Sequence, residues 1–596
     1  MKHSLLIPAL SLLYLTALAQ TPGGDWPTYN YSYEGQRFSP LEQITPANAS
    51  QLGQVCKVQV DGPTSFHSGL VVDDGVIYVA TSRQTLALDA LTCDVHWQYD
   101  YTPEDPLCGG ANRGVALHNG RVFRGTCDGR LLALDARTGE LLWKNVIAAP
   151  RLGEATSAVP LAWGNRVFMG IAGSDLGARG RVMAFDATTG AEIWRFHTIP
   201  MGDEIGADTW ERPESAKTGG GGVWGAMSLD VTTGELFVPV GNPWPDIDVG
   251  YRPGDNLFTD SIVVLDARTG ELKWWHQVAP ADWLDYDLAA APTLYRVGSD
   301  DLMAIGGKDG YITVVSRDTH NVVFRTPVTT IENPYTAPSR EGTRVCPGFA
   351  GGVEWNGPAL DRLNNNLIVG AVDICFILTL GDTEYMPGEV NFGGTVAPDG
   401  DATGWITAMD HSRGEIRWQH HLDYPVVAGV TPTRGGVTFT GDLGGNFYVF
   451  DSANGNIVHQ QNVGGAMAGG VSTYEIAGKQ YVAMASGNIS RNAFGDVGLP
   501  SVVIMTLNPE APLRQLDITS QSSDGRQLYS QVCTSCHGVD GNFISDHRLG
   551  DIASRMSLDE VIEKVKNPVA PMPALYPAVI DDATVDAVAR FVHENF

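Results

Sequence analysis

Residues 131–143 read Leu-Leu-Ala-Leu-Asp-Ala-Arg-Thr-Gly-Glu-Leu-Leu-Trp, and this pattern returns along most of the chain. It consists of a hydrophobic pair, an Asp, a short run that contains Thr-Gly, three further residues and a Trp. The residues before Asp135 alternate as in a strand, while Asp and Thr-Gly are typical of a tight turn. The pattern therefore predicts two strands joined by a turn, with Asp135 and Trp143 in structural roles.

Seven copies of the pattern are visible. They are Ala87–Trp97, Ala133–Trp143, Ala184–Trp194, Val264–Trp274, Val314–Phe324, Ala408–Trp418 and Val449–His459. Upstream of most copies another strand ends in Gly, as in Arg121–Gly125 and Arg166–Gly170. Small antiparallel sheets of this kind cannot bury both faces alone, so they must stack on their neighbours. The repeat predicts an all-β, eight-bladed β-propeller, and a stacked solenoid is the competing arrangement.

The eighth blade is expected to join the two ends of the repeat region, with Gln54–Val60 pairing with Val502–Leu507. Beyond the repeat the composition changes first to polar residues and then to helical patterns. We therefore divide the chain into a signal peptide (1–19), a propeller (20–507), a linker (508–522) and a small all-α domain (523–596). The helices expected in the last domain are Gly525–Cys533, Ser557–Lys566 and Asp582–Glu594.

The first residues have the composition of an export signal. Lys2 and His3 precede a mostly apolar stretch, Leu5–Leu18, and Ala17-Leu18-Ala19 ends it with small residues. The stretch is short for a membrane span, and no other segment is long and apolar enough to cross a bilayer. We expect cleavage after Ala19 and a periplasmic protein with no membrane span.

The net charge of −29 and the isoelectric point near 4.7 argue against nucleic acid or an anionic membrane surface as a partner. The charge is explained either by a solvated surface or by attraction of a basic redox partner.

Six of the eight cysteines lie outside the C-terminal motif described next, and an even number in an exported protein suggests three disulfides. Sequence order pairs them as Cys56–Cys93, Cys108–Cys127 and Cys346–Cys375, which is one of fifteen possible connectivities.

The last domain contains Cys533-Thr534-Ser535-Cys536-His537, a C-x-x-C-H motif. Two thiols at this spacing form thioethers with haem c, and the adjacent imidazole becomes an axial iron ligand. A zinc site would need further Cys or His residues nearby, and none is well placed. Met572, between two prolines, is the expected second iron ligand, and Met556 is the alternative. The domain resembles a class I cytochrome c.

The propeller repeat is interrupted by stretches that its consensus does not explain. They are Gly219–Gly225, Val240–Pro245, Arg252–Leu257 and Asp282–Asp287. Together they resemble the pyrroloquinoline quinone (PQQ) alcohol dehydrogenases, in particular the soluble quinohaemoprotein type with a C-terminal cytochrome domain. The resemblance covers roughly residues 25 to 596. It implies an eight-bladed propeller with the quinone near its axis.

The resemblance also implies roles for individual residues. Trp224 matches the aromatic residue on which the quinone stacks, and Arg113 matches the partner of a quinone carboxylate. Lys308 matches the catalytic cation that contacts the quinone oxygens. The other residues implied to contact PQQ are Ser157, Gly173, Ser174 and Trp355.

The implied metal ligands are Asp175, Asn242 and Asp285, and Asp285 also matches the catalytic base. Within the family, an Asp two residues after the base accompanies use of a lanthanide in place of Ca²⁺, which brings Asp287 into the predicted set. A solvated or turn-capping role is the alternative for Asp287. A hard cation held by oxygen ligands would polarise the quinone carbonyl, while the base removes the proton of the alcohol.

Three features depart from the family pattern. Leu107-Cys108 excludes a disulfide between adjacent cysteines, Phe66–Gly69 lacks the usual acidic residue, and Asp175 stands where Glu is usual. These departures weaken any inference about the substrate, which could be a small or a polymeric alcohol.

The resemblance predicts a dehydrogenase that oxidises an alcohol or aldehyde and passes electrons through its haem to an external cytochrome or copper protein. Two alternatives remain at this point. The propeller could be a non-catalytic scaffold that carries a cytochrome, as in outer-membrane assembly propellers, or it could hold a second haem, as in propeller nitrite reductases.

Overall fold

The computed structural model describes residues 24–62, 64–104, 111–488, 497–509, 514–516, 525, 529, 537, 549–550, 552–568, 576 and 582–596. The predicted signal peptide lies outside these residues, as do Cys108, Cys533, Cys536 and Met572. Within the described part of the chain, no helix has the length and apolar character needed to cross a membrane.

The strands are, in chain order, β1 (Leu52–Gln59), β2 (Val71–Asp73), β3 (Val76–Ala80), β4 (Gln84–Asp89), β5 (Val95–Asp100), β6 (Ala116–His118), β7 (Arg121–Gly125), β8 (Arg130–Asp135), β9 (Leu141–Val146), β10 (Leu161–Trp163), β11 (Arg166–Ile171), β12 (Arg181–Asp186), β13 (Glu192–His197), β14 (Ser228–Asp230), β15 (Glu235–Pro239), β16 (Ser261–Asp266), β17 (Leu272–Gln277), β18 (Thr293–Val297), β19 (Asp300–Gly306), β20 (Tyr311–Ser316), β21 (Val322–Pro327), β22 (Thr343–Val345), β23 (Ala359–Asp361), β24 (Asn366–Leu380), β25 (Gly394–Asp410), β26 (Ile416–Leu422), β27 (Thr431–Pro432), β28 (Val437–Gly441), β29 (Asn446–Asp451), β30 (Ile457–Asn462), β31 (Val471–Ile476), β32 (Lys479–Asn488), β33 (Val497–Leu507) and β34 (Arg514–Leu516). The described α-helices are α1 (Ile552–Arg555), α2 (Leu558–Lys566) and α3 (Asp582–Asn595).

Among the described residues the strands form eight sheets, most of them built from four consecutive antiparallel strands. The last sheet has the order β31-β32-β33-β1, so the first strand of the chain completes it. Leu52 lies opposite Leu507, and Val58 lies opposite Val502. A stacked solenoid has no such pairing of its two ends, so the predicted eight-bladed propeller and its closure are confirmed.

The repeated motif links each blade to the next. The carboxylate of Asp135 accepts hydrogen bonds from the backbone N–H groups of Arg137 and Thr138 and so closes its own turn. Trp97 of the preceding blade donates its indole N–H to the carbonyl of Ala136 over 2.9 Å. Gly139 has a φ of +72°, and a Cβ there would lie 2.5 Å from the ring of Trp97. The Thr-Gly turn therefore needs glycine, because the aromatic residue of the neighbouring blade packs on it.

The first strands of neighbouring blades contact one another, as β14 and β18 do, so these strands surround the propeller axis. The middle strands are buried on both faces. The outermost strands, such as β5 and β9, have exposed and half-buried side chains. The hydrophobic core lies between the blades; Phe123 and Ala133 of one blade, for example, pack with Val167 and Met183 of the next.

Two of the three predicted disulfides are confirmed, Cys56–Cys93 and Cys346–Cys375. Cys127 is also disulfide-bonded, and its predicted partner Cys108 lies outside the described residues, so that pairing stays a prediction. Cys56 belongs to the last blade and Cys93 to the first, so their bond crosses the point where the ring of blades closes.

We expect replacement of Cys56 and Cys93 together by Ser to lower the free energy of unfolding by about 4 kcal/mol, since the bond closes a loop of 37 residues. Replacing Cys346 and Cys375, which lie within one blade at a separation of 29 residues, is the matched control. Chain entropy predicts nearly equal losses for the two pairs. Urea unfolding followed by tryptophan fluorescence measures both, and a larger loss for Cys56–Cys93 would show that the bond also secures ring closure.

Two of the three predicted C-terminal helices are confirmed as α2 and α3, and the predicted helix Gly525–Cys533 lies mostly outside the described residues. Ser557 caps α2, and its side chain and that of Glu560 form a capping box. Apolar residues of α1, α2 and α3, such as Ile552, Val561 and Val588, pack into one small core. Within the segment predicted as a linker, the described residues Arg514–Leu516 form β34, which pairs in parallel with β1.

Candidate functional site

The stretches that interrupt the repeat meet in connections that lie before the first strand or after the second strand of a blade. Trp224 precedes β14, Asn242 follows β15, and Asp285 and Asp287 precede β18. Lys308 follows β19. These residues are far apart in sequence, and the circular arrangement of blades brings them together.

Lys308 is a buried cation between two buried carboxylates. Its Nζ lies 2.9 Å from Asp285 Oδ2 and 2.6 Å from Asp287 Oδ2. Burial lowers the pKa of Lys308, but Asp285, Asp287 and Glu354 outweigh this effect and hold the pKa well above its ordinary value. Lys308 is therefore a fixed positive charge at this point in the protein.

Both carboxylate oxygens of Asp287 accept hydrogen bonds. Oδ1 accepts from the indole N–H of Trp224 over 3.0 Å and from the backbone N–H of Asn242 over 2.9 Å, while Oδ2 accepts from Lys308. A Cβ at Gly241 would lie 2.2 Å from Asp287 Oδ1 and 3.1 Å from Trp224 Nε1. Glycine at position 241 is what lets this carboxylate reach Trp224.

We expect Gly241→Ala to destabilise the propeller by about 1–3 kcal/mol, because its methyl group would displace the Asp287 carboxylate. The displacement should also weaken PQQ binding, since Trp224 and Lys308 both depend on that carboxylate for their position. Urea unfolding and a PQQ titration measure the two effects. Gly478→Ala, at a surface turn where a Cβ would meet nothing within 4 Å, is the control for cofactor binding. Unchanged PQQ affinity in Gly241→Ala would contradict this account.

A second group of carboxylates, which we call the acidic cluster, consists of Asp175, Asp246 and Asp285. One oxygen from each lies within 4.8 Å of the others. The Nδ2 group of Asn242 donates to Asp175 Oδ1 over 3.4 Å and also to Asp246 Oδ1. The sequence predicted Asp175, Asn242 and Asp285 for a metal site, and the structure brings these three together.

The acidic cluster is poorly compensated. Within the described residues, Asp246 Oδ2, Asp285 Oδ1 and Asn242 Oδ1 are buried and have no hydrogen-bond partner. Burial raises the pKa of Asp246 and of Asp285 well above the ordinary value and the neighbouring carboxylates raise both further, although Lys308 lowers the pKa of Asp285 and Arg252 that of Asp246. A cation among these oxygens would favour ionisation of all three carboxylates.

The predicted cofactor residues form an aromatic surface lined with cations. The guanidinium of Arg113 lies 4.4 Å from the ring centroid of Trp224 and 5.0 Å from that of Trp355. The Nζ of Lys308 lies 5.6 Å from the ring of Trp224. Burial lowers the pKa of Arg113 to about 10, so the side chain keeps its charge at neutral pH. A flat anion is the kind of ligand that such a surface accommodates.

The remaining predicted contacts lie beside this surface. Arg113 donates to the carbonyl of Trp224 over 3.2 Å and approaches the carbonyl of Ser157 at 3.5 Å. Ser174 Oγ accepts the backbone N–H of Gly222 over 2.8 Å, which ties the Gly173-Ser174 segment to the glycine-rich approach to Trp224.

Three residues of the site were not among the predicted ligands. Asp246 was not singled out, although it stands four residues after Asn242. His67 stacks on Trp355 with ring centroids 4.3 Å apart, and its position was noted only as a departure. Glu354 is buried, which raises its pKa to about 7 against the opposing effect of Lys308. Nothing in the repeat pattern distinguishes these residues from loop or core positions.

The haem motif is only partly visible. Cys533, Cys536 and Met572 lie outside the described residues, and His537 has helical backbone. Met556, the alternative iron ligand, packs against the apolar core of the C-terminal helices, as expected for a structural residue.

Comparison with known families finds matches for three segments of the chain. Residues 26–330 match the family described as glucose/ethanol/alcohol dehydrogenase, beta-propeller domain. Residues 393–493 match outer membrane protein assembly factor BamB, and residues 520–592 match cytochrome C oxidase, cbb3-type, subunit III.

Similar proteins cover most of the chain. Quinohemoprotein alcohol dehydrogenase ADH IIB of Pseudomonas putida is 28% identical over 91% of this chain and 88% of its own length. The dehydrogenase subunit of alcohol dehydrogenase (quinone) from Gluconacetobacter polyoxogenes is 30% identical over 86% of this chain and 82% of its own. A solved structure of europium-containing methanol dehydrogenase superposes with a TM-score of 0.76 at 25% identity, over 81% of this chain and 98% of that chain.

Proposed function

Because the chain belongs to the family of PQQ-dependent alcohol dehydrogenases, we propose that it oxidises an alcohol or aldehyde with PQQ and a metal ion, and passes the electrons to its own haem c. The observation that carries the proposal is the contact of Lys308 with Asp285, beside the acidic cluster and the Trp224 surface. A base, a fixed cation, oxygen ligands for a metal and a platform for a flat cofactor meet in one place.

The residues present suit PQQ, a flat quinone that carries three carboxylates. Trp224 offers the face of its ring, and Arg113 and Lys308 offer positive charge close to it. The Nε of Arg113 is buried with no partner among the described residues, so a donor remains for an anionic ligand. We assign the remaining contacts to Ser157, Gly173, Ser174 and Trp355.

The donor set suits a hard cation, Ca²⁺ or a lanthanide ion, because every available ligand atom is an oxygen. Asp175, Asn242 and Asp285 are the ligands we assign first. Asp287, the fourth residue of the predicted set, is held by Trp224, Asn242 and Lys308 as described above.

When bound, PQQ supplies a two-electron acceptor, the metal ion a Lewis acid and the haem a one-electron acceptor. The protein's own contribution centres on Asp285, whose carboxylate accepts the hydroxyl proton of the alcohol. Lys308 contacts Asp285 Oδ2 and offsets part of its charge, and Asp287 keeps Lys308 in place. Burial of all three groups excludes water from the point of proton transfer.

The cytochrome domain completes the electron path. We assign the thioether bonds to Cys533 and Cys536 and the axial positions on the iron to His537 and Met572. An external cytochrome or copper protein would take the electrons, and the charge of −29 favours a basic partner. A periplasmic location suits both haem attachment and the disulfides.

The test is reduction of the haem by alcohol in the purified, haem-loaded protein, with and without PQQ and with either Ca²⁺ or La³⁺. We expect reduction that requires alcohol, PQQ and one of the ions together. The protein without PQQ, reduced chemically, is the control for a functional haem. Absence of reduction by a broad panel of alcohols and aldehydes, with PQQ bound and the haem reducible, would contradict the proposal and favour a scaffold.

A further inference from the structure

We propose that Asp246, and not Asp287, supplies the additional carboxylate of the metal site, so that three aspartates and Asn242 form a site suited to a trivalent lanthanide ion. The inference rests on the proposed function only in taking this metal to be the one used in alcohol oxidation. It concerns a residue that the resemblance does not assign to the site.

Asp246 is completely buried and faces the other two carboxylates of the acidic cluster. Its Oδ1 accepts from Asn242, and its Oδ2 has no hydrogen-bond partner within the described residues. Asp285 Oδ1 is in the same situation. A carboxylate oxygen this deeply buried without a donor is strongly unfavourable, and coordination to a cation removes the penalty.

No cation of the described chain forms a direct ion pair with Asp246, although the charge of Arg252 acts on it at longer range. Among the described residues neither Asp175 nor Asp246 forms an ion pair, and Lys308 reaches only Asp285 of the cluster. The nearby Arg252 donates to the backbone carbonyls of Pro245 and Asp246 and so fixes the chain, but not the carboxylate. When ionised, the three aspartates and Asp287 carry four negative charges and Lys308 offsets one of them, so a trivalent ion balances the remainder fully and a divalent ion only in part.

Asp287 is committed to other partners. To reach an ion it would have to give up the Trp224 N–H, the Asn242 N–H and Lys308, and would leave each of these buried donors without an acceptor. The two carboxylates therefore have different roles. Asp287 positions Trp224 and Lys308, and Asp246 faces the ion.

Equilibrium dialysis of the full-length protein, loaded with PQQ and haem, measures bound La³⁺ and Ca²⁺ by mass spectrometry without any reference to activity. Asp246→Asn and Asp287→Asn are a matched pair of variants. Loss of a carboxylate ligand weakens the binding of a trivalent ion more than that of a divalent ion. We therefore expect Asp246→Asn to lower La³⁺ affinity about 100-fold and Ca²⁺ affinity about 10-fold. Asp287→Asn should lower La³⁺ affinity by about 10-fold or less, since its carboxylate acts on the ion only through its charge and is not a ligand. La³⁺ affinity that is kept in Asp246→Asn or lost mainly in Asp287→Asn would overturn the inference.

A crystal of the wild-type protein with La³⁺, located by anomalous scattering, gives a result even if Asp246→Asn does not fold. An Asp246 oxygen within about 2.6 Å of the ion is expected, and a clearly longer distance would overturn the inference. The result of this test on the metal site is independent of the result of the haem-reduction test of the proposed function. Protein that binds La³⁺ through Asp246, yet reduces no haem with alcohol, would contradict the proposed function and leave this assignment standing.

Discussion

Asp285→Asn is expected to lower the rate of alcohol-dependent haem reduction by about 1,000-fold or more, because the amide cannot accept the hydroxyl proton. Asn has nearly the same volume and keeps one oxygen available as a metal ligand. Residue 285 also has a φ of +62°, in the left-handed region, and Asn is among the residues that adopt this region most readily. The substitution therefore removes the base with little disturbance of the backbone.

The measurement is the rate of haem reduction at saturating PQQ, metal ion and alcohol, with bound PQQ and metal determined on the same samples. Asp300→Asn, the same change on an exposed position of β19, is the control for an effect of the substitution alone. A rate within tenfold of the wild-type rate, at full occupancy of both cofactors, would show that another group takes the proton.

Lys308→Met is expected to lower the free energy of unfolding of the metal-free protein by about 3–5 kcal/mol, since it leaves two buried carboxylates without their cation. Met matches the length and apolar volume of the lysine stem, so the loss would come from the charge. Denaturant unfolding in the presence of a chelator measures this effect, because a bound metal ion would compensate part of it.

The double variant Lys308→Met with Asp287→Asn tests whether the loss of stability comes from the unpaired carboxylates. If the unpaired carboxylate is responsible, the second substitution should recover about 1–3 kcal/mol of the loss, as coupled neighbouring residues do. Strictly additive effects would show that Lys308 and Asp287 do not stabilise one another, and would contradict the role given to Asp287 in holding the lysine.

The propeller could be predicted because its information is local and repeated. Each copy of the motif specifies its own turn through Asp135 or an equivalent residue, and provides a glycine, such as Gly139, on which the aromatic residue of the neighbouring copy packs. The pairing of β1 with β33 could be predicted from the number of motif copies, because seven copies leave the eighth blade to be completed by the two ends of the repeat region. The C-x-x-C-H motif and the caps of the C-terminal helices are equally local signals.

The sequence by itself thus determined the fold and the family, and it singled out most of the residues that the structure brings together, because these depend on short patterns at fixed spacing. Only the tertiary structure decided which role each of those residues has at the site. Asp285, Asp287 and Asp246 look alike along the chain, but the ring of blades places Lys308 and Trp224 beside Asp287 and leaves Asp246 facing Asp175 and Asp285. The physical reason is that the role of a buried carboxylate is set by the charges and donors within a few ångströms of it. In this protein those groups come from different blades.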